Sequence, residues 1–381
     1  MKLFLSILLA VVLFSGSAQT ANTSYGTDAL NSTSSGSSNS AFGYETLSNN
    51  TTGWGNTAIG SIALKLNTTG GDNTAIGNGT LSNNVSGSGN TALGSYSLGQ
   101  NTSGAYNLAL GYEALRKNST GNYNVAIGMQ TLWFNTTGWG NTGLGRSLTY
   151  NTTGDQNTAS GYLSLDKNTT GSENTASGSL SLYSNTTGSG NSAFGFESLY
   201  ENTTGDYSTA IGYGALKNNV TGQTNSAVGY YSLFSNTSGW GNTAFGSESL
   251  KSNTTGAANI AIGVNSLKAN LSGNANSALG YGALEDNVSG HYNTSIGYFS
   301  LNKNSIGEHN SAVGYGSLKN NINGNYNTAF GDTSLYTNTT GSYNTGIGYL
   351  TTASSISAIN QTIIGFEATG QADNSVVLGN D

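Results

Sequence analysis

Cysteine and proline are both missing from the 381 residues, only 8% are charged and two are histidine. Without cysteine there is no disulfide and no thiolate metal site, and the redox compartment stays open. A chain of this length would ordinarily hold about 19 prolines. Their absence suits strands hydrogen-bonded along both edges, where one missing N–H breaks a ladder. It also argues against a disordered chain, which is typically charged and proline-rich, although 56 residues are glycine. The net charge of −7 comes without any basic run, so nucleic acid is excluded as an expected partner. His291 and His309 are the only histidines, and no GxSxG, HExxH or P-loop pattern or paired acids at metal spacing occur. No enzymatic activity, metal or cofactor is expected, and the two histidines are read as surface residues.

What fills the chain is one phrase, seen cleanly at 56–72 as NTAIGSIALKLNTTGGD. The glycine closing its first pentad recurs from Gly43 to Gly365 in steps of 17, with a single step of 16 between Gly145 and Gly161. A short period held this long signals a solenoid whose units cannot fold singly. Pentads such as NTAIG are too short for helices, and the Asn-Thr-Thr-Gly stretches between them read as turns. The expected fold is all-β, a parallel β-solenoid of about 20 short coils.

Residues 1–18 read as a secretory signal: Lys2, an apolar core over 3–14, then Gly16 and Ala18 before a cut ahead of Gln19. That core is too short for a membrane span and no later segment qualifies, so the mature chain is expected outside the cell. Residues 19–38 read as a lead-in or degenerate cap, 39–348 as the regular array and 349–381 as irregular terminal coils.

Numbering each unit from its first Asn separates the columns. Position 4 is mostly large and apolar (Ile59, Leu93, Phe245) and position 9 is Leu, so these two are expected to face inward. Positions 3 and 8 are small, and the Ala column at position 3 is a candidate contact between chains. Positions 1 and 12 are nearly always Asn, suited to turn geometry and to amide ladders at the corners. Gly at positions 5 and 15 is expected to supply positive φ where the coil bends. The shortened unit and its neighbours, with Ser160 and Ser177 at position 4, read as drift or as a weak point, with Leu163 and Leu180 placed to refill the column. The frequent Asn-x-Ser/Thr at positions 12–14 is read as turn and ladder chemistry rather than glycosylation.

The aromatic residues are the candidate binding groups. Trp54, Trp139 and Trp240 stand at position 16, each in the string GWGN, and Tyr106, Tyr123, Tyr207, Tyr292, Tyr326 and Tyr343 stand at position 17. Such rings give large contact area at low entropy cost, suited to carbohydrate or another surface; the alternative reading is that they pack over the turn below. Tyrosines at position 6, such as Tyr213 and Tyr281, read as a structural stack.

The strings NSALGYGAL at 276–284, NTAFG and NSVVLG at 374–379 resemble the head repeats of trimeric autotransporter adhesins of the YadA-like, Hep/Hag type. The 17-residue form, as in NTTGGDNTAIG at 67–77, is also similar to fibre regions of exported bacterial and phage tail proteins that end in an endosialidase-type chaperone. The resemblance covers about 39–381. It implies a left-handed β-roll, a homotrimer and a secreted or outer-membrane-associated protein that binds carbohydrate or a host or cell surface. No coiled-coil stalk, C-terminal β-barrel or chaperone domain is recognisable, so the anchor is expected elsewhere or Asp381 is a truncated end. The rival expectations are a purely structural fibre or spacer, and an ice-binding solenoid with threonine columns at position 2 or at 13–14.

Overall fold

The computed structural model describes residues 21–32 and 34–379, so the secretory signal lies outside the described residues. Each coil contributes one three-residue strand, from β1 (Thr23–Tyr25) through β6 (Leu108–Leu110) and from β7 (Val125–Ile127) to β22 (Val376–Leu378). The chain divides into two compact units, Met1–Asn122 and Tyr123–Asp381. In the first, β1 to β6 pair in parallel with register shifts of one coil, as in Thr57↔Thr74. In the second, β7 to β22 do the same, as in Thr209↔Ser226. Each unit is therefore a parallel β-solenoid, and no helix occurs among the described residues. The stretch expected as a lead-in contributes β1, and the terminal stretch contributes β21 (Thr362–Ile364) and β22.

The interior corrects one expectation. Along a strand, side chains alternate between faces, so positions 2 and 4 share a side and position 3 takes the other. Position 3 faces in: Ala58, Ala75 and Ala210 are fully buried, while Ile59 and Ile211 at position 4 are exposed. The core is thus the Ala column at 3, the small residues at 8 and the Leu column at 9, with Leu64, Leu216 and Leu335 all at 0% exposure. Volume decides this. At Gly143, a Cβ would lie 2.5 Å from Thr131 Cγ2, and at Gly346 one would lie 2.6 Å from Thr351 Oγ1. A coil this narrow takes one large column, not two. The Ala column is accordingly not a face that another chain could touch.

Buried asparagines frame the core. The Asn56 amide donates to Asn39 Oδ1 at 3.0 Å and to the Gly70 carbonyl at 2.9 Å, and Asn73 repeats the first contact on Asn56. At position 12, Asn67 donates to Asn50 Oδ1 and to the same Gly70 carbonyl, both at 2.9 Å. Two amide ladders thus run along each unit and meet at the position-15 carbonyls. The amides are buried and nearly all of the rungs are paired, which is how polar groups are tolerated in an interior.

Glycine is needed at positions 5 and 15 for different reasons. Gly60 has φ +128° and faces the Gly77 carbonyl, so both conformation and space demand it. Gly70 has no positive φ; a Cβ there would fall 2.3 Å from the Gly87 oxygen, so close stacking alone excludes a side chain. The left-handed turns fall instead on residues with side chains, at positions 7 and 9, as in Ile62 (φ 53°) and Leu64 (φ 50°). Such conformations cost L-residues of order 1–3 kcal/mol and persist where surrounding structure over-determines them. Here burial of Leu64 and its N–H bond to the Thr80 carbonyl (3.0 Å) do so.

The shortened unit keeps its strand register. Thr142 pairs with Thr158 sixteen residues on, and Asn157 still donates to Asn141 Oδ1 at 3.1 Å. The missing residue is the one at position 7, between Arg146 and Ser147. Ser160 and Ser177 lie on the outward side of their strands, so they interrupt no core column, and Leu163 has none to refill.

Candidate functional site

The aromatic edge is built by the turn between one Asn ladder and the next. Position 17 sits in a left-handed conformation, as in Tyr207 (φ 54°) and Tyr326 (φ 57°), and its N–H donates one coil back, Tyr207 to the Ser189 carbonyl at 3.0 Å. That geometry lays each ring against the same position of the preceding coil. Tyr106 lies over Gly89 and Tyr207 over Gly190, where an added Cβ would come within 2.7 Å and 2.6 Å of the ring.

The best-formed patch is a continuous stack of Tyr292, His309, Tyr326 and Tyr343. Successive centroids are 4.8, 4.7 and 5.2 Å apart, with planes within 17° of one another. All four rings are exposed. Because the faces are spent on neighbours, the stack offers ring edges and hydroxyls to solvent, with free faces only at its ends. His309, read from sequence as a surface residue, is a member of this stack. Its position 17 is the signal that would have found it. His291 stands beside it in sequence register, and its Nδ1 accepts the Asn274 backbone N–H at 3.0 Å.

The tryptophans do not join one another. Trp54, Trp139 and Trp240 are each exposed but lie several coils apart. Trp54 leans over the small residue at position 16 of the next coil, since a Cβ on Gly71 would lie 3.2 Å from its Nε1. The Trp139 backbone N–H donates to Asp155 Oδ1 at 2.9 Å. All nine rings singled out in the sequence are at least 45% exposed, with Tyr123 and Tyr207 the most open at 61% and 68%.

A second set of stacks stands at position 6. Phe196, Tyr213 and Tyr230 run at 5.3 and 5.7 Å, and Tyr281, Tyr298 and Tyr315 at 5.2 and 5.6 Å. Beside the first, the Tyr231 hydroxyl is pushed up to about 12, chiefly by its hydrogen bond with Tyr230 and then by desolvation. Charge is sparse and local. Glu248 pairs with Lys268 at 2.7 Å and Lys251 at 2.9 Å, and these hold its carboxyl below the usual carboxylate range.

The described residues contain no group of three His, Asp or Glu side chains placed to hold a metal ion, and no helix long and apolar enough to cross a membrane. Neither a protein-family model nor any curated protein matches the sequence. The fold therefore defines the class: a β-solenoid of 17-residue coils with buried asparagine ladders and outward aromatic columns.

Proposed function

We propose that this chain is a secreted, non-enzymatic display protein of a cell surface or fibre, working as a multivalent adhesive head. One observation carries the reading: the aromatic residues at positions 16 and 17, although they lie against neighbouring coils, keep 45–68% of their surface exposed along both units. Weak contacts repeated on a stiff scaffold raise avidity without any single strong site. The resemblance to YadA-like adhesin heads and the export signal at 1–18 point the same way.

Self-association, with a trimer as the resemblance implies, belongs to this reading. Position 4 presents a long outward stripe of Phe, Ile, Leu and Val, including Phe245 and Phe330 at 58% exposure each. Contiguous apolar stripes of this kind mark protein contacts. Ice binding finds less support, because the outward threonine column at position 2 is broken by Leu108, Val125 and Ile260.

The test is retention of the full chain on polysaccharide-coated and cell surfaces. Replacing Trp54, Trp139, Trp240 and Tyr207 together by Ala should leave the fold intact and reduce retention more than tenfold, the order expected when avidity is lost (~10²–10⁴ at most). Retention unchanged by that variant would leave the structural-fibre reading in its place.

A further inference from the structure

The missing residue at position 7 opens a cavity. About 470 Å³ lies beside the shortened coil, lined by Arg146, Tyr150, Leu163, Asp166, Lys167 and Tyr183. Pockets for small ligands run from about 300 to 1,000 Å³. Two aromatic stacks flank it: Phe134–Tyr150 at 5.2 Å and 14°, and Tyr183–Tyr200 at 5.2 Å and 8°.

Its polar groups are unsatisfied. Asp166 is only 4% exposed, and its Oδ1 has no hydrogen-bond partner among the described residues. Arg146 Nε in the preceding coil is likewise without a partner. Further along the array Lys217 meets a carboxylate, pairing with Glu197 at 2.7 Å. Here Lys167 instead places its ammonium 4.5 Å over the Tyr183 ring. Buried polar atoms are nearly always paired, and one that is not marks a place where a water, an ion or a ligand group supplies the missing partner.

The groups specify the visitor's chemistry. Asp166 Oδ1 needs a hydroxyl donor, Arg146 and Lys167 need an anionic oxygen, and the half-exposed Tyr150 ring offers a platform for C–H groups. Bare phosphate brings no apolar face to the tyrosine. A metal ion would meet a single carboxylate beside two cations. We propose that this cavity binds a saccharide unit bearing a carboxylate, a hydroxyl on Asp166, its acid group on Arg146 and Lys167, and its ring on Tyr150. The proposal names a ligand class for the surface-binding reading above and rests on it in supposing that the protein meets glycans outside the cell.

The test titrates the full chain with D-glucuronic acid, D-galacturonic acid and N-acetylneuraminic acid, with D-glucose and inorganic phosphate as comparisons, followed by ligand-observed NMR. At least one acidic sugar should bind with a Kd of about 1 mM or tighter, and tenfold or more tighter than glucose or phosphate. Arg146→Gln should reduce the acidic sugar to the level of glucose, and Asp166→Leu should abolish both. Asp166→Leu removes an unpartnered buried carboxylate, so it should fold at least as well as the parent. Inserting a serine between Arg146 and Ser147 restores the period of 17 and should close the site. Absence of binding by all three acids, binding unchanged in both substitutions, or phosphate binding as tightly as the sugars would each overturn the proposal. Sugar binding lost while surface retention persists refutes this site alone. Retention that ignores the aromatic variants refutes the display reading.

Discussion

Asn225 donates its side-chain amide to the Gly239 carbonyl at 2.8 Å, but the ladder partner one coil back is Ser208, whose Oγ accepts the Asn225 backbone N–H at 3.2 Å and not the side-chain amide. Every neighbouring rung has an amide there, as Asn242 has in Asn225, with Oδ1 at 3.2 Å. Ser208 is a natural gap in an otherwise paired column.

Ser208→Asn should therefore stabilise the surrounding coils, by about 1 kcal/mol, the usual net value of a buried hydrogen bond. Hydrogen exchange of the amides between Asn191 and Asn242 reads this locally, as suits an array whose stability is a sum of neighbouring terms. Faster exchange in the variant would mean that the serine is there to relieve crowding.

The two polar residues near the shortened coil make a second case. Ser160 and Ser177 point outward, so Ser160→Ile with Ser177→Ile should change stability by no more than about 0.5 kcal/mol, as for other surface positions. Protection of the β9 and β10 amides (Thr158–Ser160 and Thr175–Ser177) should match that of β12 (Thr209–Ile211) in the parent chain. Preferential exchange at β9 would restore the idea of a weak point there.

Assembly is tested on the outward stripe. Phe245→Asp with Phe330→Asp should reduce the sedimenting species to a single chain while circular dichroism stays unchanged, because both rings face solvent within one chain. A parent protein that sediments as a monomer at micromolar concentration would contradict self-association.

Glu248 gives the pH dependence a sign. Lys268 and then Lys251 depress its folded pKa, so the stability it contributes is present above the unfolded value of about 4.3 and is lost as pH falls through the folded one. Lys268 is raised in return by Glu248, so its share is present below about 10.4 and lost as pH rises through the folded value. Glu248→Gln should flatten both arms around coils 246–285 at a cost of about 0.2–1 kcal/mol at neutral pH, as for a surface pair. Local exchange that still quickens equally at both extremes in the variant would assign the effect elsewhere.

The coil, its period and the asparagine ladders were legible because Asn recurs at two fixed positions and Leu at a third. The direction of the strand was not. Hydropathy ranks Ile59 above Ala58, but in a narrow coil volume outranks hydropathy. The better signal was tolerance: position 3 admits only Ala, Gly or Ser until Ile363, whereas position 4 accepts Phe42, Ile59, Val228 and Ser160 alike. An interior takes one size and a surface takes many. The cavity at Arg146 was visible only as a missing residue, since its walls come from positions 6, 7, 10, 11 and 13 of three successive coils.

The orientation of the strands is the claim on which the rest depends, and the absence of native cysteine makes it directly measurable. Single replacements Ala210→Cys, Ile211→Cys and Leu216→Cys, labelled with a thiol reagent in dilute monomeric protein, report each side chain's access to solvent. Ile211→Cys should react at nearly the rate of an unfolded thiol, and Ala210→Cys and Leu216→Cys should react only after unfolding. Rapid labelling at position 210 with protection at 211 would reverse the inward and outward faces and contradict the account.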